Sequence, residues 1–238
     1  MDLIEKARKV IGIETSQLNR LAARLDENFS KALGALEETL KGGHKIVVIG
    51  VGKSEHIGNK FVATLNSTGA TTVGLNCQNA LHGDLGMLSV GDLVIALSHS
   101  GETSEMISLL PHAKKRASQI ITITGDTKST LAKYSDIILD THVEQEACPL
   151  QLAPTSSSTN MLVLCDALAM VLLEKRGFHS KDFAELHPGG SLGKYLLSRV
   201  SDIMRSGSTF AKVPTTSLGQ EGGHAMLECR PAAAVSVD

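Results

Sequence analysis

The chain has 238 residues, 42% hydrophobic and 20% charged, with a formal net charge of −2 at pH 7. That length admits one domain with an appendage, and that composition excludes a disordered chain. The near-neutral balance gives no general attraction to nucleic acid or an anionic membrane, and no Trp, two Tyr and five Phe leave little for a base-stacking platform.

The start, Met1-Asp2-Leu3-Ile4-Glu5-Lys6, lacks the basic region, apolar run and small-residue cleavage site of a secretory signal. Residues 2–41 then read as a long N-terminal helix. Leu18, Leu21, Leu25, Phe29, Leu33, Leu36 and Leu40 recur at steps of three and four, and Gly42-Gly43 ends the run. Strand-like apolar runs follow at 45–49, 71–75, 92–97, 119–124 and 136–140, with helical segments between most of them. This alternation predicts βαβ units, a parallel sheet and helices on both faces, with ligands at the strands' carboxyl ends.

Four carboxyl-end loops are legible: 50–55 with Lys53-Ser54, 76–86 with His82-Gly83-Asp84, 98–104, and 141–154 with Glu144 and Glu146. The third, Ser98-His99-Ser100-Gly101-Glu102-Thr103-Ser104-Glu105, lies between a strand and a helix and reads as a phosphate cradle. Unpaired N–H groups open such a helix, and hydroxyls add donors without charge. One Ser or Thr is explained by N-capping alone; four hydroxyls around Gly101 exceed what one cap needs. Thr155-Ser156-Ser157-Ser158-Thr159 gives a second hydroxyl-rich entry, to an apolar helix ending near Gly177. Its apolar stretch, 161–173, is interrupted by Asp166 and is shorter than a bilayer requires.

Gly50-Val51-Gly52-Lys53-Ser54 fails as a P-loop, because Val47 stands where its first Gly belongs. It also fails as a dinucleotide fingerprint, because Glu55 stands at the third Gly. ATP and NAD therefore recede. Metal binding is the competing reading for His82, Asp84 and His187, but they lack ligand spacing. The four cysteines, Cys77, Cys148, Cys165 and Cys229, form no Cys-x-x-Cys, which suits a reducing cytoplasm. Carboxylates and imidazoles beside a phosphate cradle suit proton transfer next to a carbonyl, through an enediolate.

These segments, with His82-Gly83-Asp84-Leu85-Gly86-Met87, Glu146-Ala147-Cys148-Pro149-Leu150 and His187-Pro188-Gly189-Gly190, resemble the sugar isomerase (SIS) domain family, and within it the arabinose-5-phosphate isomerases. The resemblance runs from Ile11 to Arg205 and implies a three-layer αβα sandwich with a five-stranded parallel sheet. It implies interconversion of D-ribulose 5-phosphate and D-arabinose 5-phosphate, without a redox cofactor, by a homotetramer. Carried over as catalytic are Lys53, His82, Glu105, Glu146 and His187. Glu146 or Glu105 would be the base, one histidine would serve ring opening or oxygen protonation, and Lys53 would give electrostatic stabilisation. Gly52, Ser54, Ser98, Ser100, Thr103 and Ser157 would bind substrate. The alternatives are a non-catalytic sugar-phosphate-binding regulator of the same fold and an isomerase of another phosphorylated sugar. No helix-turn-helix segment precedes residue 11, and the candidate catalytic residues are present, which favours the enzyme.

The chain departs from that family at Glu55, usually a small residue, at His99, usually Asn or Tyr, and at residues 77–81. These departures bear on affinity and substrate choice rather than on fold. Residues 1–198 are expected to form the SIS domain. Residues 199–238 would be an incomplete CBS-like segment, in which Ala232 to Asp238 reads as a lone strand.

Overall fold

The amphipathic N-terminal run folds as two helices, α1 (Leu3–Arg24) and α2 (Glu27–Lys41), rather than one. Leu25 leaves helical geometry at ψ 127°, and the Asp26 carboxylate accepts a hydrogen bond from the Asn28 N–H, starting α2 afresh. A short side chain that competes for backbone donors breaks a helix whose apolar spacing alone would continue.

The computed structural model describes residues 2–190, 199, 201, 211–229 and 235–237. They fall in two compact units, Met1–His187 and Pro188–Asp238. The first carries five parallel strands: β1 (Ile46–Gly50), β2 (Thr72–Asn76), β3 (Leu93–Leu97), β4 (Gln119–Thr124) and β5 (Ile137–Asp140), in the order β2-β1-β3-β4-β5. β1 and β3 are buried along their whole length, as strands covered on both faces must be.

Alternation along each strand sorts the core into two layers. Val48, Ile95, Leu97 and Ile121 pack under α2, α3 (Lys53–Ser67) and α7 (Ser156–Lys175), through Leu36, Phe61, Leu65, Leu164 and Leu168. Val47, Ile49, Val94, Ala96 and Ile120 pack under α4 (Cys77–Leu81), α5 (Ser104–Ala113) and α6 (Thr130–Tyr134). The result is the three-layer αβα sandwich with a helical N-terminus.

At the amino end of β3, the 1% exposed Asp92 accepts from the Lys45 ammonium at 2.6 Å and from the Lys45 and Ser89 N–H groups. α7 has 20 residues, beyond the apolar stretch visible in the sequence, and its length and composition would suffice to cross a membrane. Half of it is buried, against the sheet and its neighbouring helices, as in the core helix of a sandwich.

α8 (Ser180–Leu186) follows α7. In the second unit, β6 (Lys212–Pro214), α9 (Gly219–Cys229) and β7 (Val235–Val237) form a βαβ unit whose strands pair in parallel. The terminal strand is therefore not alone. Its partner, β6, is three residues long and carries a proline, too short for alternation to reveal. Ser191 and residues 202–210 lie outside the described residues.

Candidate active site

In a sheet ordered 2-1-3-4-5, the chain leaves β1 and β3 in opposite directions, opening a crevice at their carboxyl ends. The 50–55 and 98–104 loops meet there. A cleft of about 240 Å³ lies at this point, lined by Val51, Lys53, Ser54, Ile57, His99, Pro154, Ser157, Ser158 and Met161. Lys53 and Ser54 are the first two residues of α3, after Gly52 at its N-cap.

The cradle is closed by its own hydroxyls. Ser98 and Thr103 share a 3.0 Å hydrogen bond, Ser98 Oγ accepts from the Gly101 N–H, and Ser100 Oγ accepts from the Glu102 N–H. Although Thr103 is the N-cap residue of α5, its side chain makes no capping bond. The capping explanation of this turn therefore does not apply to Thr103. The start of α6, which carries no motif in the sequence, completes the wall: Thr130 N–H donates to Glu102, and Leu131 N–H to the Gly101 carbonyl.

At the second hydroxyl run, Thr155 again makes no capping bond. The anion at the N-terminus of α7 is the Glu146 carboxylate. Its Oε2 accepts from Thr155 N–H (2.7 Å), Thr155 Oγ1 (2.9 Å) and Ser157 N–H (3.3 Å). Burial pushes the Glu146 carboxyl up, but the Ser157 and Thr155 donors outweigh it and hold the group below its ordinary range. The Ser157 hydroxyl is buried beside this carboxylate without a hydrogen bond of good geometry. Gln151 locks the segment: its amide donates to the Glu146 and Cys148 carbonyls and accepts from Glu146 N–H, at a strained φ of 54°.

His99 was a departure in the sequence and is a cleft residue in the structure. Leu93, Ile95 and Leu97 face the α3 and α7 layer, and the same alternation sends residue 99 to that side. Its carbonyl accepts from Gly125 N–H and Thr124 Oγ1. Its ring lies against Gly125, where an added Cβ would fall 2.3 Å from Cε1.

One chain thus brings Lys53, Ser54, Ser157, Glu146 and His99 together. It does not bring the other catalytic candidates to the cleft. Glu105 sits on α5 in the opposite layer, held charged by its own N–H and the Ser104 hydroxyl against a smaller effect of burial, and its charge acts on Cys77 of α4. His82 is exposed at the end of α4, on the edge-strand side. His187 ends α8, where Nδ1 hydrogen-bonds the Phe183 carbonyl and the ring stacks on Phe183. Phe178, just before that helix, and Leu186, its last residue, pack at Gly69, beyond the far end of α3. As α3 and α7 both start at the cleft and run 15 and 20 residues away from it, His187 lies at the opposite end of the sheet. Among the described residues, no group of three or more His, Cys, Asp or Glu is arranged to hold a metal ion.

Comparison with known proteins agrees with this architecture. The SIS domain signature matches residues 39–171. Arabinose 5-phosphate isomerase KdsD of Pseudomonas aeruginosa is 46% identical over 228 residues, 96% of this chain and 68% of that protein. The KdsD of Escherichia coli K12 is 45% identical over 216 residues, 91% of this chain and 65% of that protein. This chain therefore spans about two thirds of the length of these relatives. A structure from Escherichia coli CFT073 in complex with arabinose 5-phosphate superposes with a TM-score of 0.75 at 37% identity, over 79% of this chain and 98% of that one. The chain belongs to the SIS domain family.

Proposed function

We propose that this protein is an aldose-ketose isomerase that interconverts D-ribulose 5-phosphate and D-arabinose 5-phosphate. The observation that carries the reading is a carboxylate, Glu146, held charged at the edge of a cleft that also contains a lysine and several hydroxyls, in a chain 46% identical to a KdsD isomerase. The 98–103 loop and the first turn of α3 supply hydroxyl and N–H donors for the phosphate. Glu146 removes the carbon-bound proton, and the three bonds on Oε2 leave Oε1 to take it. A carboxylate held below its ordinary range is a weak base, so the enediolate needs strong stabilisation. The Lys53 ammonium provides part of it. Glu146 suits the base role better than Glu105, which sits on α5 in the other layer.

Completion by a second copy of the chain accounts for His82, Glu105 and His187, which a single chain keeps apart from the cleft. The homotetramer expected from the sequence is supported by exposed apolar residues on α1 and the 141–155 loop, with Leu3 at 77%, Ile11 at 65% and Leu152 at 82% exposure. The free thiols of Cys77, Cys148 and Cys165 fit a reducing, cytoplasmic setting.

The test is incubation with D-ribulose 5-phosphate in deuterated water, followed by NMR. Arabinose 5-phosphate labelled at C2 supports proton exchange through an enediol. Binding without product or label would instead support a non-catalytic sugar-phosphate-binding protein.

A further inference from the structure

His99 has no role in the reading above, yet its imidazole shares the cleft with Lys53 and Ser157. We propose that His99 is a catalytic hydrogen-bond donor, a neutral imidazole whose Nε2–H faces the oxygen that becomes anionic in the enediolate. The proposal rests on the isomerase reading and adds to it a donor outside the set of residues that the family resemblance implies.

Geometry comes first. The backbone of His99 is pinned at its carbonyl by Gly125 and Thr124, and the ring fills the space that a Cβ at residue 125 would take. Nδ1 is buried there with no hydrogen-bond partner. A buried N–H without an acceptor is rarer in proteins than an unpaired acceptor. The favoured tautomer therefore leaves Nδ1 bare and carries the proton on Nε2, the nitrogen not enclosed against Gly125.

Two titratable groups bear on the ring, and Lys53 lines the same cleft. Glu146 favours its protonation and His142 opposes it. Burial exceeds both and holds the group below its ordinary value, so the ring is neutral at pH 7. A neutral donor serves this site better than an imidazolium, which would weaken the base beside it. From the aldose, Glu146 takes the C2 proton, the C–H electron pair forms the C1–C2 double bond, and the carbonyl pair moves onto O1. The Nε2–H bond stays intact and points at O1. The hydroxyl proton passes from O2 to O1, Glu146 returns its proton to C1, and the carbonyl re-forms at C2.

The experiment compares wild type, His99→Leu and His99→Gln in steady-state kinetics, with thermal unfolding of each. It also records 15N spectra of histidine-labelled wild type, with the His99 signals assigned by their loss in His99→Gln. Removing one oxyanion donor is expected to lower kcat about 100-fold, with little change in KM. Gln, whose amide nitrogen sits near the position of Nε2, should recover most of that loss, and the spectrum should show a neutral ring protonated at Nε2. The donor role is overturned by a His99→Leu enzyme within a few-fold of wild type, by a Gln variant no better than Leu, or by a ring protonated at Nδ1. If Leu unfolds the loop, the Gln variant and the spectrum still decide. An inert wild type overturns the isomerase reading and the donor role with it; an active wild type with an unimpaired Leu variant overturns the donor role alone.

Discussion

Thr155→Val isolates the hydroxyl that connects the candidate base to the fold. Thr155 Oγ1 accepts from the buried Ala147 N–H at 2.8 Å and donates to Glu146 Oε2 at 2.9 Å. Valine keeps the shape and deletes both bonds. A hydrogen bond to a charged group contributes about 2 kcal/mol, and an orphaned buried N–H costs about 1 kcal/mol or more, so the loss is ~3 kcal/mol. For a chain of this size that is a fall of about 9 °C in melting temperature.

The two parts separate with pH. The native-state value of Glu146 lies below its ordinary one, so its charge contributes stability above the unfolded value, about 4.3. That contribution disappears as pH falls through the native value. The gap between wild type and Thr155→Val should therefore narrow in acid without closing, since the Ala147 N–H stays unpaired at every pH. Thermal unfolding followed by circular dichroism from neutral pH into acid reads both parts, and Thr155→Ser should restore them. A melting temperature for Thr155→Val equal to that of wild type at neutral pH, or a gap independent of pH, would refute the reasoning.

Glu146→Gln and His187→Ala should each abolish turnover with the oligomer intact on size-exclusion chromatography. Because His187 lies at the far end of its own sheet, refolded mixtures of the two inactive chains should regain activity; inactive mixtures would place both groups in one subunit's site. Gly101→Ala should lose the rise in melting temperature that sugar phosphate induces and cost about 3 kcal/mol of stability, because φ is +65° and the new Cβ falls 2.0 Å from Ser129 Oγ. Asp92→Ala strands the Lys45 and Ser89 N–H groups at the other end of the sheet, so it should cost ~3–5 kcal/mol in urea unfolding while leaving the folded enzyme's KM unchanged.

The sheet was legible because all five strands are short apolar runs bounded by helical segments, and their ends shift by at most one residue from 45–49, 71–75, 92–97, 119–124 and 136–140. The site loops were legible for the same reason, since a parallel sheet gathers them at one end. Two signals were local and could have been read. Asp26 can interrupt an apolar period as an N-cap, and counting on from Leu93, Ile95 and Leu97 puts His99 on the α7 side. The pairing of Glu146 with the start of α7 was not local. It joins Glu146 to residues nine and eleven positions later through a turn held by Gln151, and sequence spacing carries no trace of it. The division of the candidate residues between layers was equally hidden, because Glu105 and Glu146 both lie at carboxyl-end loops and differ only in which face their elements cover.

That pairing also bears on how a sugar phosphate would lie. The N-terminus of α7 attracts an anion, and the hydroxyl run at 155–159 opens that helix. The structure puts Glu146 there, and two like charges at one helix terminus oppose each other more strongly as the site is desolvated. Under the isomerase reading, the phosphate would be left with the Ser98 to Thr103 turn and the first turn of α3, where hydroxyls and N–H groups gather and Lys53 adds positive charge. Under the isomerase reading, the substrate then runs from that cradle towards α7, with C1 and C2 next to Glu146 and their oxygens in reach of Lys53 and His99. Ser157, expected to bind substrate, acts in this arrangement on the base, helping to hold its carboxylate charged.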